Sequence, residues 1–416
     1  MRTKLTLTAA FVALTFGQAA FAANQNLSTD VLVVGAGSAG LTAAVQAAEK
    51  GKKVILLEKN LGVGGSSQFA EGLFAVGSEW NRLRSDPLTK EEAFKTLMEK
   101  HGYVIDAAKT KDYVEGSAEN ISWLAGHGIK FEVVRMTPWE AATWHVISDY
   151  KGTNHGAGLI KGLKDDKAGV ETKLGTPATE LILNKEGAVV GAKAADEKGN
   201  TYTISAKAVI LATGGFGDDP QKVKDWAHRD PEGWKSSVPI GKTGDGIIMA
   251  TKAGAAMGNV SFVQHLGTEG KGIKFLGNLY ATSWQPSALW VNCDGNRFSN
   301  EDVAFSFAQA ANAIYAQPHH YGWSIFDDSQ VKYMMEKGVD SGIGVLVPVG
   351  QKLPNLQKEI DEAVAVKSDG FKAADSVAQL AKELSVPKAN LQKAVDQYNK
   401  ACEVGYDGEY YKEKAY

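Results

Sequence analysis

A glycine-rich motif at residues 35–40, Gly-Ala-Gly-Ser-Ala-Gly, is the first feature of the sequence that indicates chemistry. It has the GxGxxG spacing. In this pattern the first glycine (Gly35) permits a tight turn, the second (Gly37) lets a pyrophosphate approach the backbone, and the third (Gly40) lets a helix pack closely against a strand. Glu58 follows at about the 20-residue spacing at which an acidic side chain accepts hydrogen bonds from a ribose. The combination predicts a dinucleotide-binding site.

Three further loops rich in glycine, serine and threonine indicate which kind of dinucleotide is bound. They lie at residues 64–72, 212–215 and 243–246. A nicotinamide-binding unit does not need the first of them, which follows Glu58 almost directly. We therefore expect the loops to close over a long ligand that stays bound.

These motifs need a parallel sheet to position them. Residues 31–34 and 54–57 are short apolar runs typical of strands buried on both faces, and the alanine-rich segment 41–50 between them has helical spacing. This pattern predicts a right-handed β-α-β unit with parallel strands. Further strands are predicted at 179–183, 188–194 and 202–205, which alternate like an antiparallel meander, and at 208–211.

The other predicted elements carry less information about function. Residues 24–29 are expected to be a polar spacer. Helices are predicted from apolar spacing and capping residues at 88–101, 112–126, 244–256, 376–384 and 388–402.

Composition excludes several classes of protein. The chain has 416 residues, of which 44% are hydrophobic, so it can bury a large core and is neither a disordered tail nor a collagen-like fibre. Its 45 basic and 48 acidic residues give a net charge of −3 and form no basic run. This balance argues against nucleic acid or an anionic membrane as the main partner.

The two cysteines, Cys293 and Cys402, lie far apart and have no CxxC pattern or neighbouring histidine. We therefore predict no metal site and expect both to be buried small side chains. The chain also has no CxxCH sequence, so we expect no c-type haem of its own.

The first residues have the pattern of a secretory signal. Two basic residues at positions 2 and 4 precede an apolar run at 5–17, and Ala20-Phe21-Ala22 matches a small-x-small cleavage site. We expect residues 1–22 to be removed and the mature protein to be exported to the periplasm. The alternative, a short membrane anchor, is disfavoured because the run is shorter than the ~20 residues that span a bilayer.

Taken together, the loops resemble those of the flavoprotein family that includes soluble fumarate reductase, urocanate reductase, the succinate dehydrogenase flavoprotein and L-aspartate oxidase. The resemblance continues through residues 289–301, which are similar to the family pattern VNxxGxRFxNE, and through 324–329. It implies FAD as the cofactor. It also implies an α/β fold with a Rossmann-like FAD-binding domain containing an antiparallel meander at 23–260, and an α+β capping or clamp domain at 261–416. Arg297 and Glu301 in the shared pattern are expected to be structural, as an ion pair or part of a turn.

The resemblance and the loops together select the residues expected to bind the cofactor. They are Gly35, Gly37, Ser38, Ala39, Gly40, Glu58, Lys59, Gly65, Ser66, Ser67, Ala70, Gly72, Ala178, Ala212, Thr213, Gly214 and Asp245.

The sequence departs from the family pattern where a fumarate reductase binds and protonates its substrate. Phe305 stands where the family has a proton-donating arginine, Tyr280-Ala281 stands near its Thr-Glu pair, and His265 lies one residue earlier than its histidine. We therefore expect a substrate larger and less charged than fumarate. Trp284 and Phe305, together with Tyr280 and Trp290, would form an aromatic pocket, with His265 or Tyr280 as the proton donor.

His145 and His155 are weaker candidates for the site, because they lie near a glycine-rich stretch at 156–158 that resembles a family loop beside the flavin. The chain also shows nothing like the family's C-terminal return into the FAD domain before residue 416. From this we expect a fragment of a longer protein.

The predicted function is reduction of the C=C bond of an unsaturated organic acid or enone by hydride transfer from the flavin, in anaerobic respiration. Because the chain has no haem motif, a separate periplasmic cytochrome c-type or flavin-bearing partner would supply the electrons. Two alternatives stay open at this point. They are a dehydrogenase or oxidase that runs the reverse reaction, and a flavin-binding protein that has lost its catalytic activity.

Overall fold

The computed structural model describes residues 23–70, 72–84, 88–135, 140–148, 155–165, 169–236, 238–258, 270–274, 277–342 and 347–414. Within these residues the strands, β1 to β11 in chain order, are Asn24–Val34, Val54–Leu57, Leu73–Phe74, Phe131–Val134, Trp144–Ile147, Val170–Lys173, Ala178–Leu183, Val189–Ala195, Thr201–Leu211, Leu289–Asn292 and Gly322–Ile325. The α-helices, α1 to α13, are Ser38–Glu49, Glu79–Leu83, Lys90–Lys100, Ala107–Gly126, His155–Asp165, Pro220–Ala227, Asp245–Lys252, Asn278–Thr282, Phe307–Tyr315, Asp328–Glu336, Leu356–Ala365, Val377–Leu384 and Lys388–Val404. Short 3-10 helices lie at Gly65–Phe69, Glu301–Phe305 and Pro318–His320.

A six-stranded sheet in the order β6-β2-β1-β9-β8-β7 forms the centre of the N-terminal part. Strands β6, β2, β1 and β9 run parallel, whereas β8 pairs antiparallel with both β9 and β7. This confirms the predicted α/β fold with an antiparallel meander. Because β1 and β2 are parallel, the loop after β1 and Glu58 after β2 lie at the same edge of the sheet.

Strands β1 and β9 are longer than the sequence pattern predicts. Residues 24–29, expected to be a polar spacer, belong to β1, and the two strands predicted at 202–205 and 208–211 are one strand, β9. β9 pairs with β1 from Asn24 to Val34. The spacer prediction is wrong because pairing with a long partner strand outweighs polar composition, and the side chains of residues 24–28 alternate between exposed and half-buried.

Most predicted helices are confirmed with shifted ends. α1, α3, α12 and α13 lie within a few residues of their predicted bounds. α4 begins at Ala107 because the side chain of Asp106 caps it by accepting a hydrogen bond from Lys109 N. α7 ends earlier than expected, at Lys252.

The described residues form separate apolar cores along the chain. The two clusters around the central sheet contain residues between 27 and 249, and the two clusters of the C-terminal part contain residues between 273 and 398. The predicted domain boundary near 260 and the predicted signal at 1–22 both lie outside the described residues. None of the helices in the described ranges is long and apolar enough to cross a membrane.

A buried ion network holds the end of the described chain against the C-terminal part. Arg297 Nη2 lies 2.8 Å from Glu301 Oε2 and 2.9 Å from Asp407 Oδ2, and Lys412 Nζ lies 3.4 Å from Glu301 Oε2. The rings of Tyr398 and Tyr410 have their centroids 5.1 and 5.0 Å from the guanidinium carbon of Arg297. The predicted structural pair of Arg297 and Glu301 is confirmed.

The expectation that both cysteines are buried is wrong. Cys293 is half-buried and Cys402 is exposed, and both are free thiols. Cys402 belongs to the last turn of α13, where the buried face that begins at Leu391 and Ala394 has already ended.

Candidate active site

A cavity of about 250 Å³ lies at the carboxyl ends of the parallel strands. This is slightly below the usual range for a whole cofactor pocket, so the described residues enclose part of a dinucleotide-sized site. The predicted cofactor residues that line it are Gly35, Gly37, Ser38, Ala39, Glu58, Lys59, Gly65, Ser66, Ser67, Ala178, Ala212, Thr213, Gly214 and Asp245. The structure therefore brings residues from four separate loops to one place.

The first and third glycines of the motif are required by close contacts. A Cβ atom on Gly35 would lie 2.4 Å from Ala212 O, and one on Gly40 would lie 1.8 Å from Gly35 O. Gly35 also has a φ of +102°, a conformation that side chains disfavour. Only glycine at both positions lets α1 approach β1 and the loop after β9.

The serine-rich loop is hydrogen-bonded to the start of α1. Ser67 Oγ accepts a hydrogen bond from Ser38 N at 3.1 Å and lies 2.8 Å from Ser38 Oγ. No side chain caps α1, whose N-cap residue is Gly37. A helix N-terminus without a side-chain cap, lined by small residues, is suited to hold a phosphate group.

Glu58 is fixed by two backbone donors. Its carboxylate accepts hydrogen bonds from Ala36 N at 2.8 Å and from Asn60 N at 2.9 Å, and the residue is buried. A carboxylate has about four acceptor sites, so it can still accept ribose hydroxyl groups. The two backbone bonds fix the orientation of the carboxylate.

A salt bridge connects the end of β2 to the start of α7. Lys59 Nζ lies 2.6 Å from Asp245 Oδ2 and also donates to Gly241 O. Burial alone would raise the pKa of Asp245, but hydrogen bonds from Lys59 and Thr243 outweigh it and hold the pKa below its ordinary value. Asp245 is therefore a stable anion at the rim of the cavity.

The loop at 240–242 completes this rim, and Asp218 holds it. Asp218 Oδ2 accepts hydrogen bonds from Ile240 N at 2.9 Å and Lys242 N at 2.7 Å, while Lys242 Nζ lies 2.8 Å from Oδ1. Burial opposes ionisation of Asp218, but the hydrogen bonds from Lys242 and Ser236 lower its pKa to about 2.

Three predicted cofactor residues do not line the cavity. Gly40 lies behind the cavity wall, where it packs closely against the backbone of Gly35. Ala70 O accepts a hydrogen bond from Gly156 N at 2.7 Å, and a Cβ atom on Gly72 would lie 2.9 Å from His145 O. Both residues join the serine-rich loop to its neighbours, and their contact with the cofactor stays a prediction.

Sequence reasoning missed several residues of the cavity. They are Asn60, Thr176, Pro177, Ile240, Gly241 and Lys242. Thr176 and Pro177 follow β6, which the apolar pattern did not indicate. The turn Gly175-Thr176-Pro177 was the available signal, because it precedes a predicted meander strand.

The predicted substrate and proton-donor residues lie apart from this cavity. Trp284 lines a second cavity of about 260 Å³ in the C-terminal part, which shares no lining residue with the first. Tyr280, on α8, is 1% exposed and lies in the apolar core, and Phe305 is half-buried and lines neither cavity. His265 lies outside the described residues. Roles for these four residues in the reaction stay predictions.

The side chain of His145 is buried, and both of its ring nitrogens have polar partners. Its Nε2 lies 2.6 Å from Ser78 Oγ and its Nδ1 lies 3.1 Å from Thr143 O. Burial lowers the pKa of its imidazole. The side chain of His155 is outside the description. No group of three metal-binding side chains occurs in the described part of the chain.

The residues at the strand ends fit an adenine dinucleotide. Neither Gly35 nor Gly40 has room for a Cβ atom, α1 begins without a side-chain cap, and Glu58 retains acceptor sites for a ribose. Fold and cavity therefore define a dinucleotide-binding protein with a Rossmann-like α/β sheet that contains an antiparallel meander.

The chain belongs to the FAD binding domain family, whose model matches residues 30–416. Its cofactor is therefore FAD, and the family is one of FAD-dependent oxidoreductases. Vinyl phenol reductase of Lactiplantibacillus plantarum is 33% identical over 401 residues, which cover 94% of this chain and 80% of that protein. A probable fumarate reductase of Shewanella frigidimarina is 31% identical over 396 residues, which cover 94% of this chain and 62% of that protein.

The fold is also similar to a solved relative. The open conformation of a flavocytochrome c3 fumarate reductase superposes with a TM-score of 0.70 at 28% identity, covering 93% of this chain and 64% of that one. The chain thus spans less than two thirds of the length of both fumarate reductases.

Proposed function

We propose that this protein is an exported FAD-dependent reductase that acts on the C=C bond of an unsaturated aryl or otherwise bulky organic acid or enone, and not on fumarate. Bound FAD supplies the hydride in such a reaction. The residues at the strand ends hold the cofactor: the N-terminus of α1 its pyrophosphate, Glu58 its ribose, and Asp245 with Lys59 the rim that closes over it.

The substrate class is inferred from the residue type at position 305, which is phenylalanine. Glu301 is buried and paired with Arg297, so the position of the 3-10 helix Glu301–Phe305 is fixed relative to the shared motif. Its last residue is a half-buried phenyl ring, which can neither donate a proton nor pair with a carboxylate. An apolar or aryl group on the substrate suits this position better than a second carboxylate.

The relatives also support an aryl substrate. A relative of which the chain covers 80% carries the name of a reductase of a vinyl phenol, which is an aryl alkene. Two steps of the proposal rest on sequence features alone. Residues 1–22 support export to the periplasm, and the missing haem motif supports a separate periplasmic cytochrome c-type or flavin-bearing electron donor in anaerobic respiration.

An anaerobic assay tests the reaction. Full-length, flavin-loaded protein would be given reduced methyl viologen and, separately, fumarate, cinnamate, 4-hydroxycinnamate and 4-vinylphenol. We expect viologen oxidation with the aryl substrates and none with fumarate. Turnover of fumarate alone, or no turnover of any alkene, would refute the proposal. Dye reduction by the saturated counterparts, without alkene reduction, would indicate the reverse reaction.

Export and the electron donor need their own measurements. N-terminal sequencing of the protein from cell fractions should place the mature N-terminus at Ala23 in the periplasm. Flavin reduction by a reduced periplasmic cytochrome, followed optically, should occur without a membrane fraction. An unprocessed cytoplasmic protein would contradict this part of the proposal.

A further inference from the structure

The second cavity, in the C-terminal part, is lined mainly by aromatic rings. Trp284, Trp290 and Trp323 contribute indoles, and Phe298 and Phe326 contribute phenyl groups. The centroids of Trp284 and Trp290 are 6.1 Å apart with an interplanar angle of 72°, an edge-to-face arrangement. At about 260 Å³ the cavity exceeds the roughly 150 Å³ that accommodates a benzene molecule in an engineered apolar cavity.

Buried polar atoms without partners are concentrated around this cavity. In the described part of the chain, the indole nitrogens of Trp284, Trp290 and Trp323 and the hydroxyl of Ser324 have no hydrogen-bond partner. Trp284 and Trp290 are only 2% and 4% exposed. All four residues line the cavity. Because buried polar groups in proteins nearly always have partners, this cluster needs an explanation.

The chemistry of these groups specifies what is missing. An indole N–H can only donate, so three of the four unpartnered groups require an acceptor. Among the described residues, no aspartate, glutamate, lysine or arginine lines the cavity. His320 lines it, but its Nδ1 lies 2.6 Å from Tyr315 O and its Nε2 lies 3.8 Å from Asp230 on the outside. A neutral acceptor is therefore favoured over a carboxylate.

We propose that this cavity is a second binding site, which takes a neutral aryl carbonyl compound of one ring. The ring packs among the indole and phenyl groups, and the carbonyl oxygen accepts hydrogen bonds from the indole nitrogens. Tyr321, which is 41% exposed, stands at the open side of the cavity. The site is separate from the FAD cavity, so its occupation does not depend on which alkene the flavin reduces.

Acetophenone is the probe that tests the site, because it carries no alkene that the flavin could reduce. Ethylbenzene is its matched control, with the same shape and no acceptor. Flavin-loaded, full-length protein with ¹⁵N-labelled tryptophan would be titrated with each compound, and the indole N–H signals would be followed by NMR. We expect acetophenone to shift at least two indole signals saturably and to bind roughly 5–10-fold more tightly than ethylbenzene, the effect of about one hydrogen bond.

Substitutions connect that difference to the cavity. Trp290→Phe keeps a ring but removes the N–H, so it should weaken acetophenone binding roughly 5-fold and leave ethylbenzene binding unchanged. Ser324→Ala is the second variant if Trp290→Phe does not fold. Trp234→Phe is the control, because the indole nitrogen of Trp234 already donates to Gly217 O at 2.9 Å outside this cavity.

Three results would overturn the proposal. The first is the absence of shifted indole signals at millimolar acetophenone, which would mean that water or the neighbouring rings satisfy the nitrogens. The second is equal binding of both compounds in wild-type protein and in Trp290→Phe. The third is a change in the flavin absorbance on titration that accounts for all the binding, which would place the probe at the flavin.

Discussion

Arg297 and Asp407 lie 2.9 Å apart and join the shared motif after β10 to the turn that follows α13. Their side chains are 2% and 6% exposed. This contact holds the last described residues against the C-terminal core. Glu301 and Lys412 complete a network of two positive and two negative charges, and none of its four residues lines either cavity.

Asp407→Asn should destabilise the protein by about 3 kcal/mol, because it leaves an excess positive charge in a buried network. Chemical denaturation at neutral pH would measure the loss. Glu409→Gln is the matched control, since Glu409 lies 3.8 Å from Arg297 Nη1 and its side chain is 38% exposed. It should cost less than about 1 kcal/mol. Equal losses for the two variants would contradict the assignment.

The contribution of Asp407 should also depend on pH. Burial alone would raise the pKa of Asp407, but hydrogen bonds from Arg297 and from the backbone of residues 409, 410 and 412 outweigh it and lower the pKa. Because the pKa is lowered in the folded state, the ionised carboxylate stabilises the protein at pH values above the unfolded pKa of about 3.9. This stabilisation is lost as the pH falls below that value. The stability difference between wild type and Asp407→Asn should be constant from pH 7 to about 5 and shrink by pH 3. A difference that grows on acidification would show the wrong sign.

Glu58→Gln should weaken FAD binding by about 10- to 100-fold. The amide loses the charge that favours hydrogen bonds from ribose, and its NH₂ group would face Ala36 N or Asn60 N, which are donors. Reconstitution of apoprotein with FAD, followed by flavin fluorescence, measures the affinity. Glu171→Gln on β6 is the control, because its side chain is 50% exposed. Unchanged affinity in Glu58→Gln would remove this residue from the cofactor site.

Gly40→Ala should destabilise the apoprotein by about 2–3 kcal/mol, because the added methyl group would overlap Gly35 O. The thermal midpoint of the apoprotein, compared with wild type, reports the loss without interference from FAD. In Gly62→Ala the new methyl group meets no atom within 4 Å, so its midpoint should be close to wild type. If the thermal midpoint of Gly40→Ala equals that of wild type, α1 can shift against β1 to make room for the methyl group.

Lys59→Met should speed FAD release several-fold with little change in stability. The salt bridge from Lys59 to Asp245 holds the loop before α7, but the two side chains are 29% and 36% exposed, so the pair contributes little to folding. Fluorescence recovery after dilution of the holoprotein gives the release rate. Lys207→Met removes an exposed pair with Asp30 and should leave the rate unchanged. A rate unaffected by Lys59→Met would exclude this closing role.

The sequence predicts those parts of the site that depend on local geometry. Gly35, Gly37, Gly40 and Glu58 belong to a motif whose spacing requires a strand, a turn, a helix and a second strand, and the structure has these elements in that order. By contrast, β6 has four residues, Val-Glu-Thr-Lys, and becomes a strand by pairing with β2, so Thr176 and Pro177 after it were missed.

Long-range contacts account for the other differences. Lys242 reaches the cavity because Asp218 binds its loop, and Asp407 meets Arg297 only in the folded chain. The aromatic residues at 280–305 predicted one pocket, but the turn of α8 places Tyr280 in the core and Trp284 at the second cavity. Residue type alone does not separate these two environments.

The ladder between β1 and β9 has a mechanical consequence. The two strands run parallel over ten residue pairs, from Asn24 with Thr201 to Val34 with Leu211. A force that pulls the N-terminal strand along its own axis loads all of these backbone hydrogen bonds at once, in shear, and does not open them one by one. The strand that leads into the cofactor motif should therefore resist extraction under tension. An unfoldase that pulls on this domain would encounter the greatest mechanical resistance when it pulls from the N-terminal end.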